Sequence, residues 1–267
     1  DAPGLVFLCR DSGTRSGAAL DTPFSARYDE QDAYCIFDDV EIPKENVFID
    51  GNTDVYSTVM HTTTWWPNIM QQTTVRALTK LEFAYGLGTE MARMVNDNTD
   101  RTVDMLGEIW TYVELTRTAL DAAEDRAVTW PWGGVYPEGR ALHPVRALMP
   151  KWMVRTNEIL RTIGGANLLA APSQGELADQ RIAALAQQFL PGANGIDAGE
   201  RAQVFRLAWD FIGTTLGARN ELYERHYLGS PARTHATIER LYAQDGRDRG
   251  RELIDNFLTR TRQRDDT

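Results

Sequence analysis

The sequence is poor in the residues that most often announce a function. It has two cysteines, Cys9 and Cys35, far apart and in no ligand pattern. That argues against a disulfide scaffold or a cysteine zinc site and makes a reducing cytoplasm the default compartment. It has four histidines, His61, His143, His226 and His235, none in a nucleophile-elbow context and none in an H-x-x-x-H or E-x-x-H pair. Hydrolytic triads and helical metal sites need such groupings. No G-x-G-x-x-G follows a strand and no P-loop is present, so the common nucleotide cradles are missing. Basic residues are outnumbered, 28 Lys and Arg against 38 Asp and Glu, for a net charge of −10. That balance speaks against nucleic acid or an anionic membrane as the main partner. No apolar run is long enough to span a bilayer, and no signal peptide opens the chain. Any catalysis must therefore come from a bound organic cofactor or from residues outside this segment.

What is present is a β-to-α seam. Residues 27–37 read as extended, with Tyr34 and Ile36, then Val40 and Ile42, as β-formers among polar neighbours. Pro43 cannot donate to a ladder and is expected to end the strand. Residues 5–10 read as a further strand with no partner nearby in sequence. Two or three strands make no independent sheet, so the chain is expected to be the C-terminal part of a longer protein. Residues 13–22 read as a polar loop, and Asp50-Gly51-Asn52-Thr53 as a turn that closes the β part.

Beyond the seam the chain reads as helix. A long helix is expected over 56–95, regular from Pro67, with a core face of Ile69, Thr73, Arg76, Lys80, Phe83 and Leu87. Arg76 and Lys80 on that face either snorkel to water or meet buried negative charge. A second helix over 103–128 carries a stripe of Leu106, Ile109, Val113, Thr116 and Leu120. Residues 130–137, rich in Trp, Gly and Pro, form an aromatic loop that either packs on the surface or lines a site or subunit contact. A third helix over 144–163 ends at Gly164-Gly165-Ala166-Asn167, where paired glycines give either a helix cap or a close backbone approach. Shorter helix follows over 176–189. The last long helix, 198–227, has a stripe of Val204, Ala208, Phe211, Thr215, Ala218 and Leu222. Gly213 and Gly217 allow a close helix crossing. From Ala232 the tail is helical and highly charged, either exposed or docked on another subunit.

Several runs resemble one family in order along the whole chain. The seam reads F-D-D-V-E-I-P-K-E-N-V-F over 37–48, followed by K-L-E-F-A-Y-G-L over 80–87 and G-E-I-W-T-Y-V-E over 107–114. Gly164 to Asn167 precede the pair Pro172-Ser173. Most specific are E-R at 200–201, F-R-L-A-W-D at 205–210 and G-A-R-N-E-L-Y-E-R at 217–225. Together these resemble the oxygenase component of the 4-hydroxyphenylacetate 3-monooxygenase family, two-component flavin phenol hydroxylases.

The resemblance implies a mainly α fold, an acyl-CoA dehydrogenase-like C-terminal four-helix bundle preceded by the last strands of a β-domain. Expected boundaries are 1–54 for the β remnant, 55–232 for the bundle and 233–267 for the tail, an oligomer contact. It further implies FAD, used as FADH2 from a separate flavin reductase, and O2 as co-substrate. A C4a-hydroperoxide would hydroxylate a small phenol, free or carrier-tethered, ortho to its hydroxyl. The expected assembly is a homotetramer, a dimer of dimers, in the cytoplasm. The family's Arg, Tyr and His that activate the phenol lie before this segment, so no catalytic residue is assigned. Flavin contacts are expected first at Gly229, Ser230, Pro231 and Ala232, a turn offering free backbone N–H groups. The other reading of that turn is a plain helix stop. Gly164, Gly165, Ala166 and Asn167 come second. Arg76 comes third, facing a flavin pyrophosphate or a partner-subunit carboxylate. Two alternatives stand beside this: an acyl-CoA dehydrogenase-like flavoprotein with different chemistry, and a non-enzymatic helical interaction domain. The related 4-hydroxybutyryl-CoA dehydratases need several cysteines for a cluster, which two cannot supply.

Overall fold

The computed structural model describes residues 2–12, 19–227 and 229–265. The expected polar loop over 13–22 lies partly outside them, at 13–18.

Strands β1 (Leu5–Cys9) and β2 (Ala33–Phe37) form an antiparallel ribbon, with Leu5 opposite Phe37 and Cys9 opposite Ala33. The opening strand therefore has a partner in this chain. The pairing is non-local, and no short-range pattern announces it. Strand β2 stops at Phe37, before Pro43. Its partner has run out there: the Asp38 N–H closes the ladder on the Gly4 carbonyl at 3.1 Å. Asp39 then turns the chain through φ +51°, and Pro43 leads into a 3-10 turn over Lys44–Asn46. Arg27 and Tyr28 are also not extended; they lie in a short helix, α1 (Ser25–Tyr28). Its start is held from far along the chain. The fully buried Asp210 carboxylate accepts the N–H groups of Phe24 and Ser25, each at 2.7 Å, and the Ser25 hydroxyl. Those N–H groups would otherwise be orphans of a helix N-terminus.

The helices follow in order. The run expected as one helix over 56–95 is α2 (Thr53–Thr62) and α3 (Trp65–Val95), separated where Thr63 turns extended. Pro67 falls in the first turn of α3, where its missing N–H costs nothing. Helix α4 (Asp100–Asp125) starts at Thr99, whose side chain accepts from the Thr102 N–H, and buries Ile109, Val113, Thr116 and Leu120 of the expected stripe, with Leu106 half-buried. The aromatic loop is the turn of a small hairpin, β3 (Val128–Thr129) with β4 (Val135–Tyr136), and Trp132 at its tip is exposed. Helix α5 (Leu142–Gly164) is followed by three short helices, α6 (Asn167–Ala170), α7 (Gln174–Ala178) and α8 (Gln180–Phe189). Then come α9 (Ala198–Ile212), α10 (Thr215–His226), α11 (Pro231–Tyr242) and α12 (Gln244–Asp265).

Two expected helices are each split by one capping side chain. Asp179 accepts from Arg181 and Ile182 and so restarts the chain as α8. Thr214, extended, accepts from the Gly217 N–H and restarts it as α10. This changes the meaning of Gly213 and Gly217. A Cβ at Gly213 would lie 2.3 Å from the Trp209 ring, and one at Gly217 would lie 2.5 Å from the Ile212 carbonyl carbon. Both glycines serve the joint between α9 and α10 rather than a crossing of distant helices. The joint also resets the helix phase. Leu216, Asn220 and Glu224 are buried, while Thr215, Ala218 and Leu222 are exposed, contrary to the expected stripe.

Helices α3, α4 and α5, with α9 and α10 as a broken fourth, make the bundle. Leu81, Met91, Ile109, Met149, Leu160 and Phe205 are among its fully buried side chains. Burying each contributes about 1.5–3 kcal/mol. On α3 the core stripe is Met70, Ala77, Leu81, Ala84, Leu87 and Met91. The expected face shares only Thr73 and Leu87 with the buried set; Arg76, Lys80 and Phe83 lie a step around the helix, half-buried. That step places them on a cavity instead of in the core.

Asp210→Ala should strand two backbone donors and a hydroxyl. At about 1–3 kcal/mol for each buried group left unsatisfied, the loss in urea unfolding should be several kcal/mol. Amide exchange at Phe24 and Ser25 should accelerate before global unfolding.

Candidate functional site

Four of the expected site residues line cavities, and these cavities are three separate ones. Gly229 and Ser230 line one of about 550 Å³ between the start of α3, the start of α5 and α11. Asn167 lines a small one of about 60 Å³ beside α9. Arg76 lines one of about 830 Å³ enclosed by α1, α3, α9 and α10. The chain does not bring the three sets together.

At the first cavity the chain leaves α10 and enters α11 through Gly229, at φ +80°. Its N–H is not free as expected. It donates to the His226 carbonyl at 3.0 Å and closes the turn. The donors that remain are one step on. Pro231 occupies the first helical position of α11, and the Ser230 side chain makes no capping bond into that turn. The N–H groups of Ala232 and Arg233 therefore have no side-chain cap, and they carry the partial positive charge of a helix start. Close packing also constrains Gly229: a Cβ there would lie 2.7 Å from Nη2 of Arg146. The Arg146 guanidinium lies 4.8 Å from the centroid of the Trp66 ring. Burial lowers the pKa of Arg146, without threatening its charge.

Two further groups complete this wall. His143 Nδ1 lies 2.9 Å from the Gly139 carbonyl, which can only accept, so Nδ1 carries the proton. Its ring meets Tyr242 edge-on at 5.0 Å. Burial, and secondarily the neighbouring Arg146, push the His143 pKa below 6.5; the Gly139 contact and Glu138 oppose that in part. Glu138 accepts from the Arg140 N–H at 2.8 Å through one oxygen. Its other oxygen is buried and has no hydrogen-bond partner among the described residues. Arg146, His143, Glu138 and Arg233 were not legible as a set. The only local signal is His143 and Arg146 three apart at a helix start.

Gly164 to Asn167 close α5. Gly165, at φ +51°, donates to the Arg161 carbonyl at 2.9 Å, which is a helix cap. Asn167 accepts from Arg201 at 2.6 Å. Polar groups of this segment are thus used within the chain.

Arg76 and Lys80 do meet buried negative charge, and it is the chain's own. Glu224 is fully buried and accepts from both guanidinium arms of Arg76, one at 3.2 Å, and from Lys80 Nζ at 2.8 Å. Burial lowers the Lys80 pKa; Glu224 offsets part of this, and Arg76 and Arg219 add to it. Glu224 stands in the run E-L-Y-E-R at 221–225, where it reads as one more surface charge, so its role was missed.

Proton NMR titration should find His143 titrating below 6.5. Because its folded pKa is depressed, its contribution to stability is complete above 6.5 and is lost as pH falls toward the folded value. His143→Gln should flatten that part of the pH–stability curve.

The comparisons with known proteins agree among themselves. Residues 57–258 match the family model described as 4-hydroxyphenylacetate 3-hydroxylase C terminal, and residues 1–49 match its N-terminal counterpart. The 4-hydroxyphenylacetate 3-monooxygenase oxygenase component of Thermus thermophilus is 34% identical over 91% of this chain and 50% of its own length. A 4-nitrophenol 2-monooxygenase oxygenase component from Rhodococcus sp is 32% identical over 86% of this chain and 45% of its own. A crystal structure of a 4-hydroxyphenylacetate 3-monooxygenase oxygenase component with FAD and 4-hydroxyphenylacetate superposes with a TM-score of 0.89. It is 33% identical, covering 97% of this chain and 54% of that one. A 4-hydroxybutyryl-CoA dehydratase from N. maritimus, 16% identical with a TM-score of 0.79, shares the fold. The fold is acyl-CoA dehydrogenase-like. The chain spans about half the length of the curated relatives it matches. It belongs to the 4-hydroxyphenylacetate 3-hydroxylase family.

Proposed function

We propose that this chain provides the helical wall and the phosphate-side contacts of a flavin site in the oxygenase component of a two-component monooxygenase. The overall reaction would be ortho-hydroxylation of a phenol to a catechol, with FADH2 delivered by a separate reductase and O2 as co-substrate. Support comes from the family and from the names of the relatives, which act on 4-hydroxyphenylacetate, on 4-nitrophenol and, in Streptomyces globisporus, on a chlorinated hydroxyphenyl group held by a peptidyl carrier protein. A solved relative holds FAD.

The single observation that carries the reading is the composition of the Gly229 cavity. Two arginines and an uncapped helix start line it together, which suits phosphate oxygens. The orphaned oxygen of Glu138 suits a hydroxyl donor such as a ribose or ribityl group. These residues fit a flavin dinucleotide. When bound and reduced, it would supply the electrons and the oxygen-transfer chemistry. Arg146 and Arg233 would orient the phosphates, and Glu138 would hold a hydroxyl. Trp66, Met70 and Leu241 would keep water from the wall. Contacts are placed first at Gly229, Ser230, Pro231 and Ala232. Gly164, Gly165, Ala166, Asn167 and Arg76 line other cavities or caps and rank behind them.

The assembly is proposed as a homotetramer with residues 233–267 as an inter-subunit contact. Helix α12 exposes Leu253, Ile254, Phe257 and Leu258 on one side, a stripe that a second copy would cover. The free, exposed Cys9 and Cys35 support a cytoplasmic setting. Among the described residues no helix is long and apolar enough to cross a membrane.

Anaerobic titration with reduced FAD and with reduced riboflavin tests the phosphate assignment. Arg233→Ala should weaken FAD binding by about 10- to 100-fold, the worth of one charged hydrogen bond, and leave riboflavin unchanged. Gly229→Ala should cost about 1 kcal/mol of stability from its positive φ and also weaken FAD by displacing Arg146. Equal losses for both ligands would contradict the assignment.

A further inference from the structure

The phosphate donors of the Gly229 cavity stand on α11 and, through Arg146, on α5. Two acceptors, Glu138 and His143, line the same cavity. Glu138 keeps one buried carboxylate oxygen with no hydrogen-bond partner among the described residues. His143 is only 7% exposed. Its Nδ1 proton is committed to the Gly139 carbonyl at 2.9 Å, so Nε2 of the neutral ring carries a lone pair. Burial favours that neutral form. Among the described residues nothing donates to Nε2.

A buried acceptor without a donor is costly to maintain. Two on one cavity suit a ligand that carries two hydroxyl or N–H donors. Phosphate oxygens cannot serve, because they accept, and a carboxylate repels them. The ligand therefore has to offer anionic oxygens to Arg146, Arg233 and the start of α11, and a pair of donors to Glu138 and His143. A ribose beside a diphosphate does both, since its ring holds two neighbouring hydroxyls. The ribityl chain of a flavin also carries hydroxyls, but along a flexible chain that costs more to order. Trp66, Tyr136 and Tyr242 add an aromatic wall. The Trp66 ring lies 4.8 Å from the Arg146 guanidinium, and the Tyr242 ring meets His143 at 5.0 Å. Aromatic faces are thus fixed beside the groups for phosphate and for sugar, where a base can stack.

We propose that the Gly229 cavity is a nucleoside diphosphate site, which takes the adenosine half of FAD with Glu138 and His143 on the ribose hydroxyls, and which binds free ADP through the same contacts. This rests on the cavity being the phosphate side of a flavin site, and it adds which half of the dinucleotide enters. The isoalloxazine ring then lies outside the cavity, and free ADP competes with FAD for it.

Calorimetric titration with ADP and with 2′,3′-dideoxyADP, followed by anaerobic competition with reduced FAD and reduced riboflavin, tests this. ADP should bind with unit stoichiometry and displace reduced FAD. It should bind at least about tenfold more tightly than the dideoxy nucleotide, the order expected for a hydrogen bond to a charged group. Reduced riboflavin should not displace it. Glu138→Ala should lower the affinity for ADP and leave that for dideoxyADP unchanged. Equal affinity of the wild type for the two nucleotides, equal losses of both in folded Glu138→Ala, or displacement of ADP by riboflavin would overturn the proposal. If Glu138→Ala does not fold, the wild-type comparison decides alone. Arg233→Ala separates this inference from the reading beneath it. FAD affinity unchanged in that variant overturns the phosphate assignment itself. FAD weakened in that variant, with ADP unable to displace FAD from the wild type, overturns only the choice of the adenosine half.

Discussion

One carboxylate holds the architecture in register. Glu224 on α10 is fully buried and is met from α3 by Arg76 and Lys80, residues 148 and 144 positions away in sequence. A lone buried carboxylate would be too costly to keep ionised, so the two cations are a condition of its presence. Breaking such a pair typically costs about 3–5 kcal/mol. Pairs on the surface, such as Arg247 with Glu239 on the tail, contribute about 0–1 kcal/mol. The Glu224 contact fixes the rotation of α10 about its axis. That rotation puts Tyr223 and Arg219 on one cavity, and it aims the end of α10, with the turn at Gly229, at the other.

Asp210 does for the β part what Glu224 does for the helices. By accepting the first N–H groups of α1, it seats residues 24–28 against α9. Arg219 extends the seat to the ribbon, through Asp32, which also accepts from Arg10. The Arg219 guanidinium, with Arg10 behind it, holds the Asp32 carboxyl at about 2, below the usual range. This junction is thus at full strength above the ordinary aspartate pKa and weakens only as pH falls toward 2. An acidic chain uses its few buried cations sparingly. They gather where two parts of the fold meet, and the cavities lie beside them.

Much of this was legible. Long apolar periodicity marked α3, α4, α5 and α9, because those helices bury one stripe over several turns. The run at 200–225 was the most specific sign of the family, beside the seam and the earlier helices. What escaped detection was local or non-local in specific ways. Single side chains, Asp179 and Thr214, end and restart helices with no change in apolar pattern. On α3, small residues such as Ala77 and Ala84 form the core face, and the longer Arg76, Lys80 and Phe83 drew the expected stripe one step round. The partner of β1 lies across an irregular connection that periodicity cannot bridge. Gly229 was found for its positive φ, but the groups that make its cavity polar come from Glu138, His143, Arg146 and Arg233, which only the fold assembles.

The central claim is that the flavin's phosphates lie at the turn into α11. Hydrogen exchange followed by mass spectrometry, with and without reduced FAD, addresses it directly. The account predicts slowed exchange in segments covering 229–234 and 138–146, with 164–167 and 76–83 unchanged. Protection at 164–167 or 76–83 with none at 229–234 would contradict it.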